Sequence, residues 1–118
     1  MQPKQLTDKH LLAEHREIKR IPNAIKSGRV NMSGIPSDFT LGAGHVKFFY
    51  NKVGYLKERY VQLYEECVRR KFKVTSFLDS FDGISDELMG NYFPTEKDRQ
   101  LIVNRINEKL NVRILQQV

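Results

Sequence analysis

The sequence predicts an all-α fold: one compact domain, residues 1–118, of three main helices joined by long loops. Three observations carry this expectation. Apolar residues recur at three- and four-residue spacing in three long segments, the pattern of amphipathic helices. Glycine and proline gather between those segments, and the connection over 27–42 has no strong strand pattern. At 118 residues the chain is long enough for one core, and its 40% hydrophobic content can fill it.

The first helix is expected from about Asp8 to Ile21, capped by Thr7 or Asp8. Pro22 should break or kink it, with a short turn continuing through Ala24–Lys26. SGRVNMSGIPSDFTLG at 27–42 reads as a loop. The second helix is expected from Ala43 to Lys71. Val46, Phe49, Tyr50, Val53, Leu56, Tyr60, Leu63, Tyr64 and Cys67 form its core-facing stripe, and Gly54 interrupts it and allows close packing. Residues 72–94 read as irregular. The third helix opens with Thr95-Glu-Lys-Asp98, a capping-box-like start, and runs to Leu115 on an inner face of Leu101, Ile102, Ile106, Leu110 and Ile114.

Composition narrows the function classes. No stretch approaches the roughly 18 apolar residues of a membrane span, so no membrane association is expected. No charged, apolar and small-residue pattern opens the sequence, so no secretory signal is expected either. Cys67 is the one cysteine, which excludes an internal disulfide; it reads as a small core residue in a reducing cytoplasm. One cysteine and three scattered histidines form no zinc pattern, so no metal is expected. Twenty Lys and Arg against 14 Asp and Glu give a net charge of +6. Such a balance points to a polyanion, most often nucleic acid.

HLLAEHREIKR at 10–20 concentrates the charged chemistry. On a helical wheel of about 100° per residue, Leu11, Ile18, Ile21 and Ile25 share the core arc. Arg16 and Arg20 share another arc with Lys9 beside them. Glu17 falls on the boundary with His10 close to it, Ala13 leaves room for a ligand at that edge, and Glu14 points nearer the apolar arc. A carboxylate at such a boundary suits a general acid/base. A solvated face of ion pairs three and four residues apart is the competing reading. A second basic stripe, Arg105, Lys109 and Arg113, runs along the third helix. Lys26 and Arg29 flank the turn after the first helix, and LGAGH at 41–45 sets glycines, Gly44 among them, before a helix start where backbone N–H groups can meet a phosphate. The loop lacks the ending of a nucleotide-triphosphate site.

Taken together, DKHLLAEHREIKR at 8–20, FTLGAGHVKFFYNKVGYLKER at 39–59, ECVRRKF at 66–72, MGNYFPTE at 89–96 and RINEKL at 105–110 resemble the pyrimidine-dimer DNA glycosylases of the T-even phage endonuclease V type. The likeness runs over most of the chain in order. It implies a compact helical repair enzyme without metal or cofactor, acting as a monomer on damaged double-stranded DNA in the cytoplasm. In that family an N-terminal α-amine attacks the sugar's anomeric carbon, expels the base, and leaves an imine that undergoes β-elimination. The family's catalytic glutamate matches Glu17, its active-site histidine matches His10, and its DNA-contacting cations match Arg16, Arg20, Arg105 and Lys109.

The family begins with Thr in a Thr-Arg-Ile-Asn-like segment, whereas the sequence here opens Met1-Gln2-Pro3. Three readings stay open: a Thr-first extension upstream, the Met1 amine as nucleophile, and a DNA-binding relative without lyase activity. Met1 has the reach, since seven extended residues from Asp8 span over ~20 Å and the helix from Asp8 to Glu17 only ~14 Å. His15 stands where the family has Tyr, and the family's aromatic, Lys-rich tail has no counterpart in RILQQV.

Overall fold

The computed structural model describes residues 2–117; the side chains of residue 106 and of residues 109–117 lie outside the description. The fold is all-α, as predicted. Its helices are α1 (Asp8–Glu17), α2 (Arg20–Ser27), α3 (His45–Phe48), α4 (Val53–Arg69) and α5 (Glu96–Gln117). Short 3-10 turns cover Pro3–Gln5, Phe49–Asn51, Leu78–Phe81 and Asp86–Leu88. Four longer helices therefore replace the expected three.

The extra helix comes from Pro22. Thr7 caps α1, its side chain accepting from the His10 N–H at 3.2 Å. A continuous helix would need residue 22 to donate to the Ile18 carbonyl. Proline has no N–H, and its ring would strike that carbonyl. The chain accordingly turns at Ile18–Lys19 and restarts as α2, with Pro22 in the first turn where no donor is missed. The predicted helix to Ile21 is thus two helices, and Arg16 and Arg20 stand on different ones. Gly28, left-handed at φ 71°, ends α2.

The expected helix over 43–71 is also divided. Residues 89–90 cross its path: Lys52 and Met89 form an isolated antiparallel bridge, and the Gly90 carbonyl accepts the Tyr55 N–H at 3.0 Å. That N–H belongs to the first turn of α4, whose donors have no intrahelical acceptor. The crossing needs bare backbone. A Cβ on Gly54 would lie 2.5 Å from the Met89 carbonyl oxygen, and one on Gly90 would collide with the Asn51 carbonyl. Gly54 therefore has the predicted role of close packing. The break rotates the preceding turn. Phe48 is buried, while Val46, expected in the core, is 52% exposed.

The rest of the stripe packs as expected. Phe49, Val53, Leu56, Tyr60, Leu63 and Cys67 of the second segment join Leu11, Ile18, Phe48 and Phe81 in the core. Tyr64 packs half-buried against it, whereas Tyr50, expected in the stripe, is half-buried outside that cluster. Ile21 and Ile25 pack against it half-buried. At α5, Thr95 and Asp98 cap reciprocally: each side chain accepts the other's backbone N–H at 3.1 Å. Tyr92 adds its hydroxyl to Asp98 at 2.5 Å. Leu101 and Ile102 are half-buried, whereas Ile106, Leu110 and Ile114 lie outside the described side chains.

Candidate functional site

α1 lies antiparallel on α4, joined at both ends. Asp8 pairs with Arg70 at 2.9 Å, and Glu14 takes a two-pronged contact from Arg59, at 2.7 and 3.1 Å. Residues 59 and 60 face residues 14 and 15 in register: the Tyr60 hydroxyl meets His15 Nε2 at 3.3 Å and accepts the Phe77 N–H at 2.5 Å. His15, only 3% exposed, is enclosed by the rings of Tyr60, Tyr64 and Phe77. Burial pushes its pKa below the ordinary histidine value, and the charge of Lys19 pushes the same way. Burial alone would lower the Arg59 pKa, but the Glu14 contact outweighs it and holds the cation firmly charged.

This docking decides which way the rest of α1 faces. With Leu11, His15 and Ile18 inward, the side chains of His10, Arg16 and Glu17 are exposed. Glu17 and His10 stand two turns apart on one side, and Arg16 precedes Glu17 toward the other flank. None of the three forms an ion pair with a described residue. The wheel places Glu17 at a partly desolvated boundary, and the structure corrects this to an exposed position. A wheel over positions 8–21 assumes one helix and gives no role to His15, whose ring packs among Tyr60, Tyr64 and Phe77.

The other expected site residues are distributed along the chain. Arg20 and Lys26 are exposed on α2. Gly44, at φ 82°, is the left-handed residue that opens α3. That helix is a single turn, so little helix dipole stands behind its N–H groups. Arg105 is exposed on α5. Met1 and the side chain of Lys109 lie outside the described residues. Arg29, on the turn after α2, is exposed as well.

Two arginines escape a reading of the sequence. Arg59 and Arg70 look like ordinary helix cations, and their partners lie 45 and 62 residues away. Arg70 has the denser set of contacts. It bonds Glu66 at 3.1 Å and Asp8 at 2.9 Å, and its Nη2 donates to the carbonyls of Pro3, Lys4 and Leu6 at 3.3, 3.3 and 2.8 Å. Hydrogen bonds from Arg69 hold the pKa of buried Glu66 below the usual carboxylate range; Arg70 adds to this against the opposing effect of burial. ECVRRKF contains the local partner Glu66 but gives no sign of Asp8 or of the carbonyls of Pro3, Lys4 and Leu6.

Among the described residues no group of three or more His, Cys, Asp and Glu is placed to hold a metal, and no helix is long and apolar enough to cross a membrane. Cys67 is buried, as expected, and burial pushes its thiol pKa up.

Glu17 and Arg16 are thus exposed on α1 with no ion pair to a described residue. Residues 1–80 match the pyrimidine dimer DNA glycosylase family. The chain belongs to that family, whose members are DNA-repair enzymes acting on a DNA substrate.

Proposed function

We propose that this protein removes a base at cyclobutane pyrimidine dimers in duplex DNA and then cleaves the abasic strand by β-elimination. The observation that carries the reading is the contrast on α1. Glu14 is spent on Arg59, while Glu17, at the family's catalytic position, is exposed beside Arg16 with no ion pair to a described residue. An N-terminal α-amine is the nucleophile: about pH 7.7–8.0 is its ordinary midpoint, so a useful fraction is neutral near physiological pH. Its nitrogen lone pair bonds to the anomeric carbon, and the glycosidic bond breaks with its electron pair leaving on the base, which takes up a proton. The nitrogen, having lost a proton, then pushes its lone pair toward the same carbon. The bond to the ring oxygen breaks, that oxygen is protonated, and the opened sugar is left as a cationic imine. The cationic imine acidifies the adjacent sugar C–H. Glu17 stabilises that cation, accepts the proton, and the 3′ phosphate departs.

His10, Arg16, Arg20, Lys26, Arg105 and Lys109 would hold the phosphates of the kinked duplex, with backbone N–H groups at Gly44 beside them. Those contacts offset the cost of unstacking a base opposite the lesion.

Borohydride trapping on ultraviolet-irradiated and abasic duplexes tests this reading, with the chain as given and with a Thr-first extension. A covalent adduct is expected. An adduct only from the extended chain assigns the nucleophile to the extension. Binding without an adduct from either identifies a non-catalytic DNA-binding relative and overturns the lyase reading.

A further inference from the structure

Among the described residues, the guanidinium of Arg70 supplies the side-chain hydrogen bonds that reach the segment before α1 from α4, while Pro3 is buried and Leu6 packs against the core. Residues 3–5 form a 3-10 turn rather than an extended strand, with Gln5 and Leu6 donating their N–H groups to the Gln2 and Pro3 carbonyls. Arg70, its side chain only 14% exposed, gathers three carbonyls of this segment together with Asp8 at the start of α1. Gln2, Pro3 and Lys4 then line a hollow with Gln62, Glu65, Glu66 and Arg69 of α4. Gln62 lies between Arg70, which marks the start of α1, and Arg59, which marks Glu14. The segment therefore doubles back along α4, from the beginning of α1 toward the level of its later turns.

We propose that Arg70 is a positioning residue: it folds residues 3–6 back along α4, the direction in which α1 runs to Glu17, and so sets how fast an N-terminal amine reacts beside that carboxylate. The inference rests on the amine-nucleophile reading above. It explains how an amine tied to the start of a ten-residue helix is aimed at a carboxylate on its last residue. Glu66 completes the device by fixing the guanidinium from behind. A planar fork is required, because Nη1, Nη2 and Nε each serve a different direction; a lysine ammonium keeps the charge but not the fork.

Arg70→Lys and Arg70→Gln in the full chain test this below both variants' melting temperatures. With saturating abasic duplex, single-turnover borohydride trapping is expected to slow by about ten- to a hundredfold, while the DNA dissociation constant stays within about twofold and its salt slope is unchanged. Amide hydrogen exchange at Gln5 and Leu6 is expected to quicken in both variants. Trapping at the wild-type rate, or exchange at these amides unchanged, overturns the positioning role. A lower melting temperature with wild-type trapping marks Arg70 as merely structural. If Arg70→Gln fails to fold, Arg70→Lys decides alone. A wild-type chain that yields no adduct, either as given or with a Thr-first extension, overturns the lyase reading first and this role with it.

Discussion

The two faces of α1 differ more than their sequence suggests. The inner face carries Glu14 and His15, each with a partner on α4; the outer face carries His10, Arg16 and Glu17, exposed and without an ion pair to a described residue. Glu14 and Glu17 are chemically identical and three positions apart. The inner one is committed to Arg59 and serves architecture. The outer one keeps its carboxylate out of any ion pair with a described residue. A scaffold with satisfied polar groups inside lets charged groups outside stay uncommitted, and such groups can answer a polyanion.

The largest expected effect falls on the outer face. Glu17→Gln should leave the melting temperature and DNA affinity unchanged and slow strand cleavage by about 10²–10⁴-fold, the usual worth of a positioned acid/base. Equal losses in binding and cleavage would assign Glu17 to structure and erase the contrast between the faces. Next comes the scaffold. Gly54→Ala places a methyl 2.5 Å from the Met89 carbonyl. A chemical denaturation curve should show a loss of about 3 kcal/mol; a loss under about 0.5 kcal/mol would mean residues 89–90 are not the wedge that breaks the helix.

His15 sharpens the comparison through pH. Its folded pKa is depressed by burial and by Lys19, so the neutral ring is the folded form. The stability it contributes is fully present above the unfolded value of about 6.5 and is lost as pH falls below that value toward the folded pKa. Thermal melts should therefore decline from pH 7 to pH 5, and His15→Phe should flatten that decline. An unchanged profile in His15→Phe would locate the acid sensitivity elsewhere. The smallest effects belong to single cations. Arg16→Ala or Arg105→Ala should weaken DNA binding modestly and reduce the slope of log K against log salt by about 0.9 for each phosphate no longer neutralised. An unaltered slope in fluorescence anisotropy titrations removes that residue from the footprint.

Much of the fold is legible in the residues, and the features that are not share a cause. The Thr7 cap, the Thr95–Asp98 box and the period of Val53, Leu56, Tyr60, Leu63 and Cys67 are local or periodic signals, and each appears where expected. The wheel separates Glu17 from Glu14 as the α1 carboxylate farther from the packed arc, although it understates the exposure of Glu17. Val46 falls outside the core because the stripe that includes it assumes an unbroken helix through residue 52. Arg59 and Arg70 escape because Glu14 and Asp8, the α1 carboxylates they meet, lie 45 and 62 positions away.

The sequence by itself determined the helical class, the caps, the basic balance and the family membership, since these depend on residue type and short-range spacing. Pro22 also dictates a break four residues before itself, a backbone rule that needs no tertiary contact. Tertiary structure alone decided where the second long helix divides and which glutamate is consumed. Gly54 allows a close approach, but only the arrival of residues 89–90 converts that freedom into a break. Glu14 and Glu17 were equal until a guanidinium 45 positions beyond Glu14 selected the nearer one. Long-range pairing is the one thing residue spacing cannot encode.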